Sequence, residues 1–154
     1  MLDEEPHSLL AVADSLMREA SGDAAYRCRA ISTAYYAVFH ALAGLCASTL
    51  MPDVSGSYDA YVRIYRAIDH GPLRQAFSQA PLRTHDRLRS IGDAAIELQS
   101  ARHAADYLPL RSNAFRDAGT RILIELARQT VESISTLSLV ERRLLATSIL
   151  FKTR

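Results

Sequence analysis

The sequence predicts an all-α protein: an up-and-down antiparallel bundle of about five helices with a short additional C-terminal helix. Three observations lead there. Apolar residues recur at helical spacing along nearly the whole chain, no segment alternates convincingly as a strand, and the breaks fall at clusters of Gly, Pro, Ser and Asp. With 154 residues, 49% of them hydrophobic and 23% charged, the chain reads as a single domain over 1–154. A domain of that length buries about 70% of its unfolded surface.

The elements follow in order. Leu9, Leu10, Ala13, Leu16 and Met17 mark a first helix, closed by the turn Ser21-Gly22-Asp23. A second helix runs from there to about Leu50, where Met51-Pro52-Asp53 and Ser55-Gly56-Ser57 make a loop. Tyr58, Tyr61, Val62, Tyr65 and Ile68 predict a third helix that stops at His70-Gly71-Pro72. An irregular stretch leads through Pro81 to a fourth helix, about Asp86 to Tyr107, which Pro109 ends. A fifth helix is expected from near Ser112 to about Thr136. Ser138-Leu139-Val140-Glu141 is a capping box that opens the short last helix, carrying Leu144, Leu145, Ile149, Leu150 and Phe151.

Bulk properties narrow the function classes. The formal net charge is +1, and no uninterrupted apolar stretch reaches the roughly 18 residues that span a bilayer. The N-terminal MLDEEPHS is acidic where a secretory signal is basic, so the expected location is cytoplasmic, with no membrane partner. Cys28 and Cys46 are eighteen positions apart on one predicted helix, about 27 Å, too far to bridge; they read as reduced packing cysteines. Charge is unevenly placed. Residues 1–25 hold six acids against Arg18, a net of −5, and residues 59–90 hold six arginines against three aspartates, a net of +3. Such a basic stretch is either a solvated face or a field that steers a phosphate-bearing ligand.

The most informative segment is Arg27–Cys46. At 100° per residue, Ile31, Ala34, Val38, Leu42 and Leu45 form one apolar stripe, while Thr33, Tyr36 and His40 lie within about 40° of Arg29 on the opposite side. Tyr35 and Phe39 fill a flank. Ala43 and Ala47 continue the polar row beside Gly44, small residues that admit another helix. An ordinary surface helix would carry Glu, Lys and Gln in that row, so it is expected to be covered by a helix or by a second subunit. The fourth helix buries Leu88, Ile91, Ala95, Leu98 and Ala105, with Arg102 and Asp106 one turn apart at the stripe's edge. A semi-buried Arg needs a partner, so Arg102 is expected to meet Asp106 and a group on another helix. The pair either locks two helices together or serves a ligand. His103 and Tyr107 share the more exposed face alongside.

Taken together, R-x-x-S-x-A-Y-Y-A-x-F-H (Arg29 to His40) and R-x-x-A-D-Y (Arg102 to Tyr107) resemble the HEPN superfamily over roughly residues 8–130. These are small prokaryotic helical bundles, often partnered by a minimal nucleotidyltransferase. The resemblance implies a homodimer with a cleft between protomers, and a nucleotide or RNA ligand in a toxin–antitoxin or defence-like setting. Arg29, Ser32, Tyr36, His40, Asp106 and Tyr107 are then ligand or interface candidates, and Arg102 and His103 the catalytic candidates. Active relatives are metal-independent endoribonucleases that use an Arg followed, after four to six residues, by a His. Here His103 follows Arg102 directly; the one stretch with an allowed gap, Arg63 to His70, lies on the predicted third helix and its terminal turn, outside the expected element.

The leading expectation is therefore a HEPN-type nucleotide- or RNA-associated module without strong catalytic activity. An active endoribonuclease toxin and a structural helical adaptor are the alternatives. No pair among His7, His40, His70, His85 and His103 has zinc-site spacing, no Ser sits in a nucleophile elbow, and the fourth helix lacks the Glu-x-x-His of carboxylate-bridged iron bundles. Neither a metal nor a cofactor is expected.

Overall fold

A computed structural model describes residues 4–109 and 115–151. Among the described residues the protein is all-α, with seven helices, one short 3-10 turn and no strand. The helices are α1 (Glu4–Glu19), α2 (Ala24–Leu50), α3 (Tyr58–Tyr65), α4 (His70–Phe77), α5 (Asp86–Tyr107), α6 (Asp117–Ser135) and α7 (Leu139–Leu150), with the 3-10 turn at Leu82–Thr84.

The connection from α1 to α2 is tight because Ser21 and Gly22 take positive φ (40° and 86°), and Asp23 then caps α2 by accepting from the Ala25 amide at 2.8 Å. Helix α2 is the axis of the fold. It packs against α1, α3, α5, α6 and α7, while α1, α5 and α6 also contact one another in the order α1–α6–α5. The predicted stripe Ile31, Ala34, Val38, Leu42 and Leu45 is buried, and so are Ala30, Ala37, Ala43, Cys46 and Ala47 on the other sides. A helix apolar on most of its circumference belongs inside a bundle. The same property makes α2 long and apolar enough to cross a membrane by length and composition, yet 67% of its most apolar window is buried within the protein.

Onto this axis α1 contributes Leu10, Ala13 and Met17, and α5 contributes Leu88, Ile91, Ala95 and Leu98. Ile124, Ala127, Val131 and Ile134 recur at i+3/i+4 on α6, and Leu145, Ala146 and Ile149 close the core from α7. The capping box at α7 forms in full: Ser138 Oγ accepts from the Glu141 amide and the Glu141 carboxylate accepts from the Ser138 amide at 2.8 Å.

Two sequence expectations change, the end of the third helix and the irregular stretch that follows it. The third helix stops at Tyr65, and His70-Gly71-Pro72 begins α4 instead of ending α3. The reason is local: Asp69 caps the new helix by accepting from the His70 amide at 2.8 Å, and a proline in a first turn loses only an amide that has no helical partner anyway. The stretch before Asp86 is therefore largely helical, anchored by the buried Leu73 and Phe77. Helix α6 starts at Asp117; the expected start near Ser112 lies outside the described residues. Ala43 and Ala47 are covered within the chain itself, one of the two covers expected of that row, and Tyr65 of α3 approaches Gly44 to 4.0 Å from where a Cβ would stand.

Phe77 seats α4 on α5. A Cβ added at Gly92 would stand 2.8 Å from Phe77 Cγ and 2.9 Å from its Cβ, distances that buried side chains do not tolerate. Gly92→Ala should therefore destabilise the protein by about 1–3 kcal/mol in urea unfolding. Helix propensity alone argues for the opposite sign, favouring Ala by about 1 kcal/mol. A stabilised Gly92→Ala variant would show that α4 does not dock as described.

Candidate functional site

The buried stripe of α5 turns its edge toward α2, and there the two motif segments meet. Arg102 keeps only 14% of its side chain exposed and Asp106 only 18%. The Arg102 guanidinium donates to the Tyr36 hydroxyl at 3.1 Å and stands 5.6 Å and 5.5 Å from the ring centroids of Tyr35 and Tyr36. Its Nε lies 3.4 Å from Asp106 Oδ2, an ion pair too poorly aligned to be a hydrogen bond. The other carboxylate oxygen accepts from Ser32 Oγ at 2.5 Å and has Arg29 at 3.9 Å. One carboxylate thus sits among a hydroxyl and two guanidiniums, and the cluster keeps a net positive charge. Burial works against the charge on Arg102, but the Tyr36 hydrogen bond and Asp106 outweigh it and hold its pKa above the ordinary arginine value.

His70 enters the same place from α4. Its Nδ1 is 2.6 Å from the Tyr35 hydroxyl, its ring stacks at 4.6 Å on Phe39, and its carbonyl accepts from Gln99 of α5 at 3.1 Å. Burial lowers its pKa, the nearby Arg102 charge lowers it further, and Asp69 opposes them. The imidazole is therefore neutral at neutral pH. Tyr35 is almost fully buried, and burial pushes its phenol far above the usual range.

His40 belongs to a neighbouring group. Its Nδ1 shares a short hydrogen bond with the Tyr65 hydroxyl, which also donates to Glu5 Oε2 at 3.3 Å. Glu5 Oε1 is 3.8 Å from the same imidazole nitrogen. The Tyr36 ring, 6.4 Å from that of His40, joins the two groups. Half-buried Tyr36, Phe39, His40, Tyr65 and His70 form a continuous aromatic face along α2.

The structure brings Arg29, Ser32, Tyr36, Arg102 and Asp106 together, with His40 one ring away. His103 does not join Arg102. It is exposed, turned about 100° around the helix, with its ring 4.9 Å from the 66%-exposed Tyr107. Arg63 and His70 do not share a helix, because α3 ends between them; the arginine whose charge bears on His70 is Arg102. Sequence reasoning placed Tyr35 and Phe39 only on the flank of the polar row and missed Asp69 and Tyr65 as members of this region. The adjacent tyrosines of α2 were a signal, but nothing in the spacing reveals that His70 folds back onto Phe39. Among the described residues, no group of three or more His, Cys, Asp or Glu is placed to hold a metal ion. Comparison with models of protein families, with curated proteins and with solved structures returns no match for this chain.

Two measurements bear on this cluster. Arg102→Ala leaves a mostly buried carboxylate with only Ser32 and a distant Arg29, and should cost on the order of 3 kcal/mol in denaturant unfolding. A loss under about 0.5 kcal/mol would remove the pair from any structural role. His70 is the pH probe. Its folded pKa is depressed, so the unfolded chain takes up the proton first and stability falls as pH drops below about 6.5. His70→Gln should flatten that part of the stability profile between pH 8 and 5, and an unchanged slope would refute the assignment.

Proposed function

We propose that this chain is a HEPN-type helical module that associates with RNA or a nucleotide in a toxin–antitoxin or defence-like system, acting as a homodimer without strong catalytic activity. The observation that carries the reading is the exposed Arg29, held beside the Arg102–Asp106 pair and next to a half-buried aromatic face. Guanidiniums contact phosphate with directional hydrogen bonds, and aromatic faces stack unpaired bases regardless of their identity. Their adjacency, with Arg29, Tyr36 and Phe39 all on α2, suits a phosphate followed by a base. A minimal nucleotidyltransferase is the protein partner that fits the resemblance.

Cleavage of a phosphodiester next to a ribose requires a group that takes the 2′-hydroxyl proton and a cation that steadies the phosphate. The second reading, a metal-independent endoribonuclease, has one observation in its favour: a neutral imidazole, His70, beside Arg102. Against it, His70 Nδ1 is engaged by Tyr35 and the Arg102 side chain is committed to Tyr36 and Asp106.

Incubation of the pure protein with a mixed RNA pool in EDTA separates the readings. We expect retention of RNA in a binding assay with little or no cleavage, and binding weakened by Arg29→Ala, which removes an exposed side chain without disturbing the core. Robust EDTA-resistant cleavage abolished by His70→Gln in a folded protein would establish the enzyme instead. Absence of any RNA or nucleotide binding would leave the structural adaptor. A dimer should bury roughly 800 Å² per partner, and a monomer by light scattering at high micromolar concentration would refute that part of the proposal.

A further inference from the structure

A second cationic position lies at the groove where α1, α2, α6 and α7 meet, a cavity of about 130 Å³. Its polar lining is His7, His40, Ser48, Ser135 and Arg142, and no carboxylate lines it. Arg142 is only partly exposed, and its guanidinium donates to Ser48 Oγ at 2.8 Å. No carboxylate among the described residues comes within ion-pair distance of it, whereas the partly buried Arg102 has Asp106 and the more exposed Arg128 has Asp14. Glu141, its neighbour in the chain, is turned to Arg87 and to the cap of α7. Ser48 Oγ itself donates to the Leu45 carbonyl at 3.2 Å, so its oxygen serves Arg142 as an acceptor and neutralises nothing. Five N–H donors on a planar fork, with one used, leave the rest of the guanidinium able to grip an oxyanion.

We infer that this groove is a binding site for a compact phosphate group, anchored by Arg142 and completed by His7 or His40. The size sets the class. Pockets for drug-sized ligands run from about 300 Å³ upward, and this one admits a single phosphate with little else enclosed. Outside the lining, the Glu5 carboxylate is held by Tyr65 and lies 3.8 Å from His40. The chemistry is that of free phosphate or of the terminal phosphate of a monoester such as a nucleotide. The site goes beyond the Arg102 cluster and stands whether or not that cluster binds RNA.

The test is saturable binding of inorganic phosphate, of a nucleoside 5′-monophosphate and of the unphosphorylated nucleoside to the full chain, followed by ³¹P line broadening and by thermal shift. Both phosphates should bind and the nucleoside should not. Arg142→Gln should weaken phosphate binding by at least about tenfold while its helical circular dichroism is unchanged, and Arg143→Gln, at an exposed neighbour outside the groove lining, should bind phosphate as the parent does. If Arg142→Gln does not fold, Arg142→Lys takes its place; it keeps the charge without the fork and should show a smaller loss. A monophosphate that binds more tightly than phosphate identifies a nucleotide end as the source, and equal binding identifies free phosphate. Absence of saturable phosphate binding, or binding equal in the parent and both Arg142 variants, would overturn the site.

Discussion

Five helices can surround α2 because so many of its side chains are small. Ala30, Ala34, Ala37, Ala43 and Ala47 are all fully buried, on different sides of a 27-residue helix. Each lets a neighbouring backbone approach closely, and the larger Ile31, Tyr35, Val38 and Leu42 fill the space between. A helix buried on most of its circumference leaves little room for polar side chains. Those it carries must find partners inside the protein or where the helix is open to solvent, as it is beside Arg29 and Tyr36. The candidate site is one such edge.

At the edge, the polar residues of α2 do two kinds of work at once. Ser32 and Tyr36 satisfy Asp106 and Arg102, which ties the end of α5 to the first half of α2. The same pairing holds the Arg102 guanidinium against two tyrosine rings and leaves Arg29 outside, 73% exposed, beside the shared carboxylate. A clamp and a binding feature are not exclusive here. The buried half of the cluster is set by packing, and the exposed half is free to meet a ligand.

Helix α4 shows how a small element decides chemistry. It is eight residues long, with two buried side chains, and one of them rests on Gly92. That contact, with Gln99 and Ser100 of α5 bonded to His70 and Arg74, sets the height of α4 along α5. His70 comes to rest between Tyr35 and Phe39, where burial and Arg102 keep it neutral. Any residue larger than glycine at 92 would move this histidine along with the helix.

Much was legible in the sequence, for physical reasons. Helical period, capping residues and turn residues are local properties, so the all-α class, the bounds of α5, the turn before α2 and the capping box of α7 follow from short stretches. The convergence of Arg102 with a group on another helix was also accessible, because a semi-buried cation beside an apolar stripe demands a partner. The partner's identity was not, since Tyr36 reaches Arg102 across 66 positions of chain. Nor could spacing show that His70 opens a helix and faces Arg102 rather than Arg63. That depends on a cap by Asp69 and on the close fit of Phe77 against Gly92. The uncompensated charge of Arg142 was hidden for the same reason, because a count of charges says nothing about which carboxylates come within reach. Local chemistry settled the elements, and side-chain contacts between elements distant in the chain settled which charged and aromatic groups share a surface.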